Sequence, residues 1–217
     1  MSCWSCHRLM EEVIGVSGDD PSREWISGSS LDLPVPGSRS IWCGVYSRLM
    51  DVTEALLDSW DRQCRIVNAV ATLIDESNRH AKPSEDGWPL DKQLAHMHNT
   101  RKFWLSQVAP EHAADLGKAY ADAEGTPIED LDAIKSFLSA SGLALREAVR
   151  EAIAKGGAPM EGPHATYDNP VLLLQHMVWH DGWHVGLIFL ALRLNGQEPE
   201  EEWEEPYVWG QWRTERW

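Results

Sequence analysis

The residues of this chain with the clearest capacity for chemistry are His176, His180 and His184, which recur at every fourth position. On an α-helix this spacing places the three imidazoles in one row along a single face. Neutral imidazole is a common metal ligand, so the row predicts a metal site. The alternative is a set of hydrogen-bonded core histidines without a metal, because a buried nitrogen that lacks any partner costs roughly 1–3 kcal/mol.

The histidine row lies in an apolar stretch that runs from Asn169 to Gly196. Its side chains are apolar nearly all round, which predicts a helix inside a bundle. Asp168 or Asn169 can cap its start, and Pro170 suits the first turn. Gly196 can adopt the left-handed conformation that ends a helix. About 26 residues could cross a bilayer, but three histidines and Asp181 near the centre argue against a membrane span.

Three further segments show a helical period, and no strand pattern of useful length accompanies them. Together with the histidine helix they predict an all-α fold, a four-helix bundle. A short helix and a loop are expected between Glu111 and Gly125. The three predicted long helices cover about Tyr46 to Ser77, Leu90 or Asp91 to Val108, and Leu131 to Lys155.

The two ends of the chain differ in composition from the bundle. Residues 1–44 are rich in Gly, Ser, Pro and Asp and are interpreted as an irregular N-terminal arm, with the bundle domain at residues 45–217. The arm contains Cys3-Trp-Ser-Cys6-His7, the short pattern for haem attachment. Because no charged region or apolar region precedes it, we interpret it as an incidental pair, with a redox or metal-scavenging pair as the alternative. The Trp-rich tail is expected to pack back across the bundle.

Charge and cysteine content restrict the partners and the compartment. With 34 acidic and 19 basic side chains the formal net charge is -15, which argues against nucleic acid and anionic membranes as partners. Four cysteines in a chain of 217 residues do not make a disulfide framework, and no secretory signal is visible. The sequence therefore predicts a cytoplasmic, reduced protein.

A second pair of histidines lies on the predicted second helix. His96 sits beside the apolar stripe of that helix and can point into the bundle, whereas His98 is turned about 200° away and is predicted to face water. We therefore predict that His96 joins His180 and His184 around one divalent metal ion, with a fourth position open for water or substrate. Zinc and nickel both suit nitrogen ligands, so the spacing does not choose between them.

These residues resemble a known family. The segments Gln93-Leu-Ala-His-Met-His-Asn-Thr-Arg101 and His180-Asp-Gly-Trp-His-Val-Gly186, followed by a Trp-containing tail, are similar to the DinB/YfiT-like superfamily of metal-binding four-helix bundles. The resemblance covers about residues 45–213, and it implies that His96, His180 and His184 are the metal ligands.

Other polar residues near the histidines are assigned to the surroundings of the site. His176 matches a frequent additional histidine of that superfamily, one turn before the ligands, and is assigned to the pocket or to contact with a ligand residue. Asp181 and Trp183 are assigned in the same way. Asp181 or Gln175 is expected to orient a ligand histidine. No catalytic residue is predicted beyond the metal site.

The resemblance also implies a function. Characterised relatives look like S-transferases that use a low-molecular-weight thiol such as bacillithiol, mycothiol or glutathione, so the expected partners are a small-molecule thiol and an electrophile. A homodimer is a further expectation. Two alternatives stay open: a metal-dependent hydrolase that uses metal-bound water, and a non-catalytic metal-binding, stress-associated bundle.

Overall fold

A computed structural model describes residues 52–213. The N-terminal arm, its Cys3-Trp-Ser-Cys6-His7 segment and the start of the first predicted helix lie outside the described residues. Within them the predicted all-α fold is confirmed, with four long helices and two short ones. The elements are α1 (Val52–Thr72), α2 (Leu90–Val108), α3 (Pro110–Ala113), α4 (Leu131–Ala154), β1 (Met160–Glu161), β2 (Thr166–Tyr167), α5 (Pro170–Leu194) and α6 (Glu201–Tyr207), with a 3-10 turn at Trp209–Gln211.

Local capping sets the bounds of the histidine helix α5. The side chain of Asn169 accepts a hydrogen bond from the backbone N–H of Val171 at 2.9 Å, and Pro170 occupies the first turn. After the helix, Gly196 takes a left-handed φ of 68°. Both ends lie where the sequence predicts them.

The first helix is shorter than the sequence predicts. Helix α1 ends at Thr72 and not near Ser77. Beyond it the Asp75 side chain accepts from the backbone N–H of Ser77 at 2.8 Å, and Asn78 accepts from that of Asp75 at 2.9 Å. These local bonds compete with helix continuation. The short helix and the loop expected between Glu111 and Gly125 are present as the four-residue α3 and irregular backbone as far as Gly125.

The bundle core consists of two apolar clusters at its two ends. One is built from the last half of α1, the first halves of α2 and α4 and the last half of α5, and the other contains the opposite halves. Helices α2 and α4 therefore run in the same direction, antiparallel to α1 and α5. Residues 109–130 return the chain along the bundle between α2 and α4.

A central polar layer separates the two apolar clusters. It contains Cys64 from α1, Arg101 from α2, Ser141 from α4, and Asp181 and His184 from α5. All but Cys64 are buried, and Cys64 is half-buried. Because buried polar groups require partners, the polar side chains of this layer must bind one another or a further group.

The tail packs back on the bundle, as predicted, through part of its length. Val208 is buried in the apolar cluster that includes the end of α5, and Trp203 packs against the same cluster. Trp209 and Trp212 remain 50% and 44% exposed, so they contribute less than the sequence suggests. Among the helices of residues 52–213, none is long and apolar enough to cross a membrane.

Candidate metal centre

Three histidines from two helices meet at the centre of the bundle. His96 comes from α2, and His180 and His184 lie one turn apart on α5. One ligand nitrogen from each lies within 4.8 Å of the other two. The ring centroids are 5.1 Å apart for His96 and His180, 4.9 Å for His96 and His184, and 4.6 Å for His180 and His184. The structure thus brings together the three residues predicted to bind metal.

His184 is the most buried member of the cluster, with 2% of its surface exposed. Its Nδ1 faces the amide oxygen of Gln93 in a short hydrogen bond, and the Gln93 amide nitrogen donates to the Trp88 carbonyl at 3.3 Å. An amide oxygen is an acceptor, so Nδ1 carries the proton and Nε2 carries the lone pair. That Nε2 is buried and has no hydrogen-bond partner within residues 52–213.

Burial keeps the His184 imidazole neutral. The pKa of His184 is lowered to about 2, mainly because burial disfavours the charged form and also because His180 and His96 lie beside it. Metal ligation requires a neutral imidazole. His184 is therefore in the protonation state that a ligand needs.

His180 has the same arrangement with a different partner. Its Nδ1 lies 3.4 Å from Oδ1 of Asp181, and its Nε2 is buried without a partner in the described part of the chain. Asp181 is itself fully buried, and its Oδ2 accepts hydrogen bonds from Arg101. The expectation that Asp181 contacts a ligand histidine agrees with this geometry, whereas Gln175 is exposed.

His96 is flanked by two hydroxyl groups. Its Nδ1 lies 3.3 Å from the Tyr120 hydroxyl, and its Nε2 lies 3.3 Å from Oγ1 of Thr100. Burial and the neighbouring His180 lower the pKa of His96 to about 3. Burial also raises the pKa of Tyr120 to about 12, so this phenol keeps its proton at neutral pH, and its oxygen can accept the N–H of Nδ1.

The three histidines share one pattern. In each ring Nδ1 faces a protein oxygen; among the described residues Nε2 of His180 and of His184 has no partner, whereas Nε2 of His96 lies beside Thr100. Partners of this kind usually orient the metal ligands of proteins and fix their tautomers. Two buried nitrogens without any partner are costly in a protein interior unless something binds them. Three neutral imidazoles with these features fit a divalent metal with one open coordination position.

Two residues assigned to the surroundings of the site lie outside the cluster. His176 is half-buried one turn before His180, and its Nδ1 pairs with the Tyr167 hydroxyl at 2.8 Å. Its ring lies edge-on to Trp104, with centroids 5.4 Å apart. Trp183 is 50% exposed, and in the described part of the chain no ring contact or hydrogen bond joins it to the three histidines.

The prediction that His98 faces water is wrong. His98 is fully buried, and its Nε2 lies 3.1 Å from the carbonyl oxygen of Gly117. Its ring packs near Phe137 of α4, with centroids 5.7 Å apart. The connection after α3 covers this side of α2, so the helix is buried on two faces and not on one.

Sequence reasoning missed several residues that contact the histidines. Trp88 lies edge-on to His96, with centroids 4.9 Å apart, and its ring is nearly parallel to that of His184 at 6.3 Å. The position of Gln93 near the histidines could have been inferred from the sequence, because Gln93 precedes His96 by one helical turn on the same face. The contact of Tyr120 with His96 could not have been inferred, since Tyr120 lies in an irregular connection.

Comparison with protein families identifies the family of this chain. The profile of the DinB family matches residues 50–214, which is most of the chain. No curated protein and no solved structure gives a significant match.

Proposed function

The chain belongs to the DinB family, and from this premise we propose that it is a metal-dependent S-transferase whose substrate is a low-molecular-weight thiol. In the proposal His96, His180 and His184 hold one zinc or nickel ion. The observation that supports this metal site is the pair of buried Nε2 atoms on His180 and His184, which lie beside His96 and lack a partner among residues 52–213. When bound, such an ion is a Lewis acid that lowers the pKa of a thiol, so that the thiolate is present at neutral pH.

Side chains around the three histidines orient the imidazole rings and exclude water from them. Gln93, Asp181 and Tyr120 each face the Nδ1 of one histidine and hold the three rings in a fixed arrangement. Trp88 covers His96 and His184 with an apolar ring. Ligands held in a fixed arrangement and an apolar ring that excludes water both favour a thiolate that is poorly solvated and therefore reactive.

The proposed reaction joins the thiol sulfur to an electrophilic carbon. A sulfur–carbon bond forms, the bond from that carbon to its leaving group breaks, and the thiol proton departs with the leaving group. The histidines act as ligands and not as bases, and the lowered pKa values of His96 and His184 support this role for those two. Bacillithiol, mycothiol and glutathione are the thiols to test.

The environment of Asp181 weighs against the hydrolase alternative. A hydrolase of this type gains from a carboxylate base beside the attacking water. Asp181 contacts a ligand histidine, but it is fully buried and Arg101 occupies its other oxygen. This carboxylate is therefore poorly placed to accept a proton from water.

Conjugation assays test the proposal. Zinc-loaded and nickel-loaded protein is incubated with each thiol and a chlorinated aromatic electrophile, beside the His180→Ala/His184→Ala variant and an exposed control, His164→Ala. We expect thiol-dependent turnover in the parent and in the control, and none in the double variant. Turnover of an ester without thiol would favour the hydrolase. Absence of turnover with every thiol, in protein that holds metal, would favour the non-catalytic bundle.

A second copy of the chain is the macromolecular partner that we propose. The outward face of α5 supports it, because Leu172, Trp179, Trp183 and Leu190 follow one another at intervals of seven, four and seven residues and are 48%, 67%, 50% and 41% exposed. Such spacing forms one stripe on a helix and suits pairing with an identical helix. Light scattering should give a dimer for the parent and a monomer for Trp179→Glu/Leu190→Glu; a monomeric parent would contradict pairing.

A further inference from the structure

The central polar layer contains a fully buried ion pair, Arg101 with Asp181, and the proposed function assigns a role only to Asp181. Arg101 is 1% exposed and Asp181 is 0% exposed. Oδ2 of Asp181 accepts from Nη2 of Arg101 at 2.6 Å and from Nε at 3.2 Å. Removing two charges from water is costly, and apolar replacements of such pairs are often equally stable or more stable. A contribution to folding stability is therefore a poor explanation for the presence of this ion pair.

The remaining contacts of Arg101 fix its guanidinium from other helices. Nη1 donates to the carbonyl oxygen of Leu138 on α4 at 2.8 Å. The guanidinium carbon lies 5.1 Å from the ring centroid of Trp60 on α1, and the Trp60 indole N–H donates to the Gly142 carbonyl at 2.9 Å. Arg101 thus contacts all three other long helices, and its position is strongly determined.

The free oxygen of Asp181 points toward the histidine cluster. Oδ1 lies 3.4 Å from Nδ1 of His180, while none of the described residues is a partner for the buried Nε2 of His180. A carboxylate beside Nδ1 favours the tautomer with the proton on Nδ1 and the lone pair on Nε2. The orientation of Asp181 depends in turn on Arg101.

We propose that Arg101 is a positioning residue for the metal centre: it holds Asp181 so that Asp181 keeps the proton of His180 on Nδ1 and leaves Nε2 free to bind a metal. This inference rests on the proposed metal site. It assigns a role in the site to a residue that touches none of the three histidines directly.

The chain offers a matched control in a second buried ion pair. Nε of Arg79 lies 3.1 Å from Oδ2 of Asp91, with side chains 8% and 5% exposed. The histidine beside this carboxylate is His80, whose side chain is 77% exposed and which lies outside the cluster. Replacing this pair tests the effect of losing a buried ion pair without disturbing His180.

The first experiment compares metal affinity with stability. The variants Arg101→Met/Asp181→Leu and Arg79→Met/Asp91→Leu are measured by zinc competition with a chromophoric chelator and by urea unfolding of the metal-free form. We expect the zinc Kd of the Arg101 variant to rise ~10–100-fold while its unfolding midpoint holds or rises. The Arg79 control should keep the parent Kd. A parent-like Kd in the Arg101 variant would overturn the inference.

A second measurement uses metal-free protein, so its result does not depend on the proposed function. Nitrogen-15 NMR of the His180 imidazole should show the proton on Nδ1 in the parent and a mixture of tautomers in Arg101→Met/Asp181→Leu. Identical tautomers in both would overturn the inference. If the parent binds no zinc, the metal site fails, and the NMR result still decides whether Arg101 positions His180.

Asp181→Asn serves if the double variant does not fold. The amide has nearly the size of the carboxylate, and its single oxygen accepts the hydrogen bonds that Arg101 donates. The NH2 group is then left facing Nδ1 of His180, which forces the proton onto Nε2. We expect this tautomer by NMR together with a weakened zinc Kd. A proton retained on Nδ1 in Asp181→Asn would contradict the role assigned to the pair.

Discussion

Acid should destabilise the metal-free protein, because it holds neutral histidines in its core. The pKa values of His184 and His96 are lowered from 6.5 to about 2 and about 3. Below pH 6.5 the unfolded chain binds these two protons and the folded protein does not, so the free energy of unfolding falls as pH falls. The loss begins near pH 6.5 and continues down to the folded pKa values.

The size of this effect follows from proton linkage. Between about pH 7.5 and about pH 5, each histidine removes ~2 kcal/mol, or ~4 kcal/mol for the pair. That is a large part of the ~5–15 kcal/mol typical of a domain. The lowered pKa of buried His98 adds in the same direction. Carboxylates with lowered pKa values, such as half-buried Glu147 and exposed Asp75, act below this window because their ordinary pKa is 4.5 or less.

Urea unfolding followed by tryptophan fluorescence measures this loss. Chelator-treated protein is compared at the two pH values with the His184→Gln variant, which lacks one titrating imidazole. We expect the variant to lose ~2 kcal/mol less than the parent over the same window. Equal stability of the parent at both pH values would refute the reasoning, as would an unchanged pH dependence in the variant.

Further substitutions test other contacts around the site. Gln93→Leu removes the acceptor for Nδ1 of His184, and chelator competition should show a zinc Kd raised ~10–100-fold; an unchanged Kd would exclude Gln93 from the site. His98→Ala should keep about one equivalent of zinc by elemental analysis yet lose about 2–3 kcal/mol of stability in urea unfolding, since it empties buried space. Loss of its zinc would make His98 part of the site. Gly142→Ala places a methyl carbon 2.9 Å from Sγ of Cys64, so unfolding should show a cost of about 1–3 kcal/mol. Adding Cys64→Ala should recover much of that cost, and additive losses would contradict the clash.

The helices were predictable because local chemistry determines them. The apolar period and the caps at Asn169 and Asp130 give α5 and α4 to within a residue or two. The end of α1 was not predictable from its apolar period, because that period continues past Thr72. The side chains of Asp75 and Asn78 end the helix instead.

The histidine cluster was predictable because its spacing places two ligands on one helical face. Its supporting residues were predictable to different degrees. Arg101 on the apolar stripe of α2 and Asp181 on an otherwise apolar helix each signal a buried charge that requires a partner, so their pairing could have been inferred. The burial of His98 and the contact with Tyr120 depend on the path of residues 109–130, and no local pattern encodes that path.

Elemental analysis tests the central claim most directly. The purified, untagged protein is compared with the His180→Ala/His184→Ala variant, both as isolated and after anaerobic reconstitution with zinc or nickel. The account predicts about one equivalent of metal in the parent and none in the variant. A parent that holds no metal under either condition, or a variant that holds as much as the parent, would contradict it.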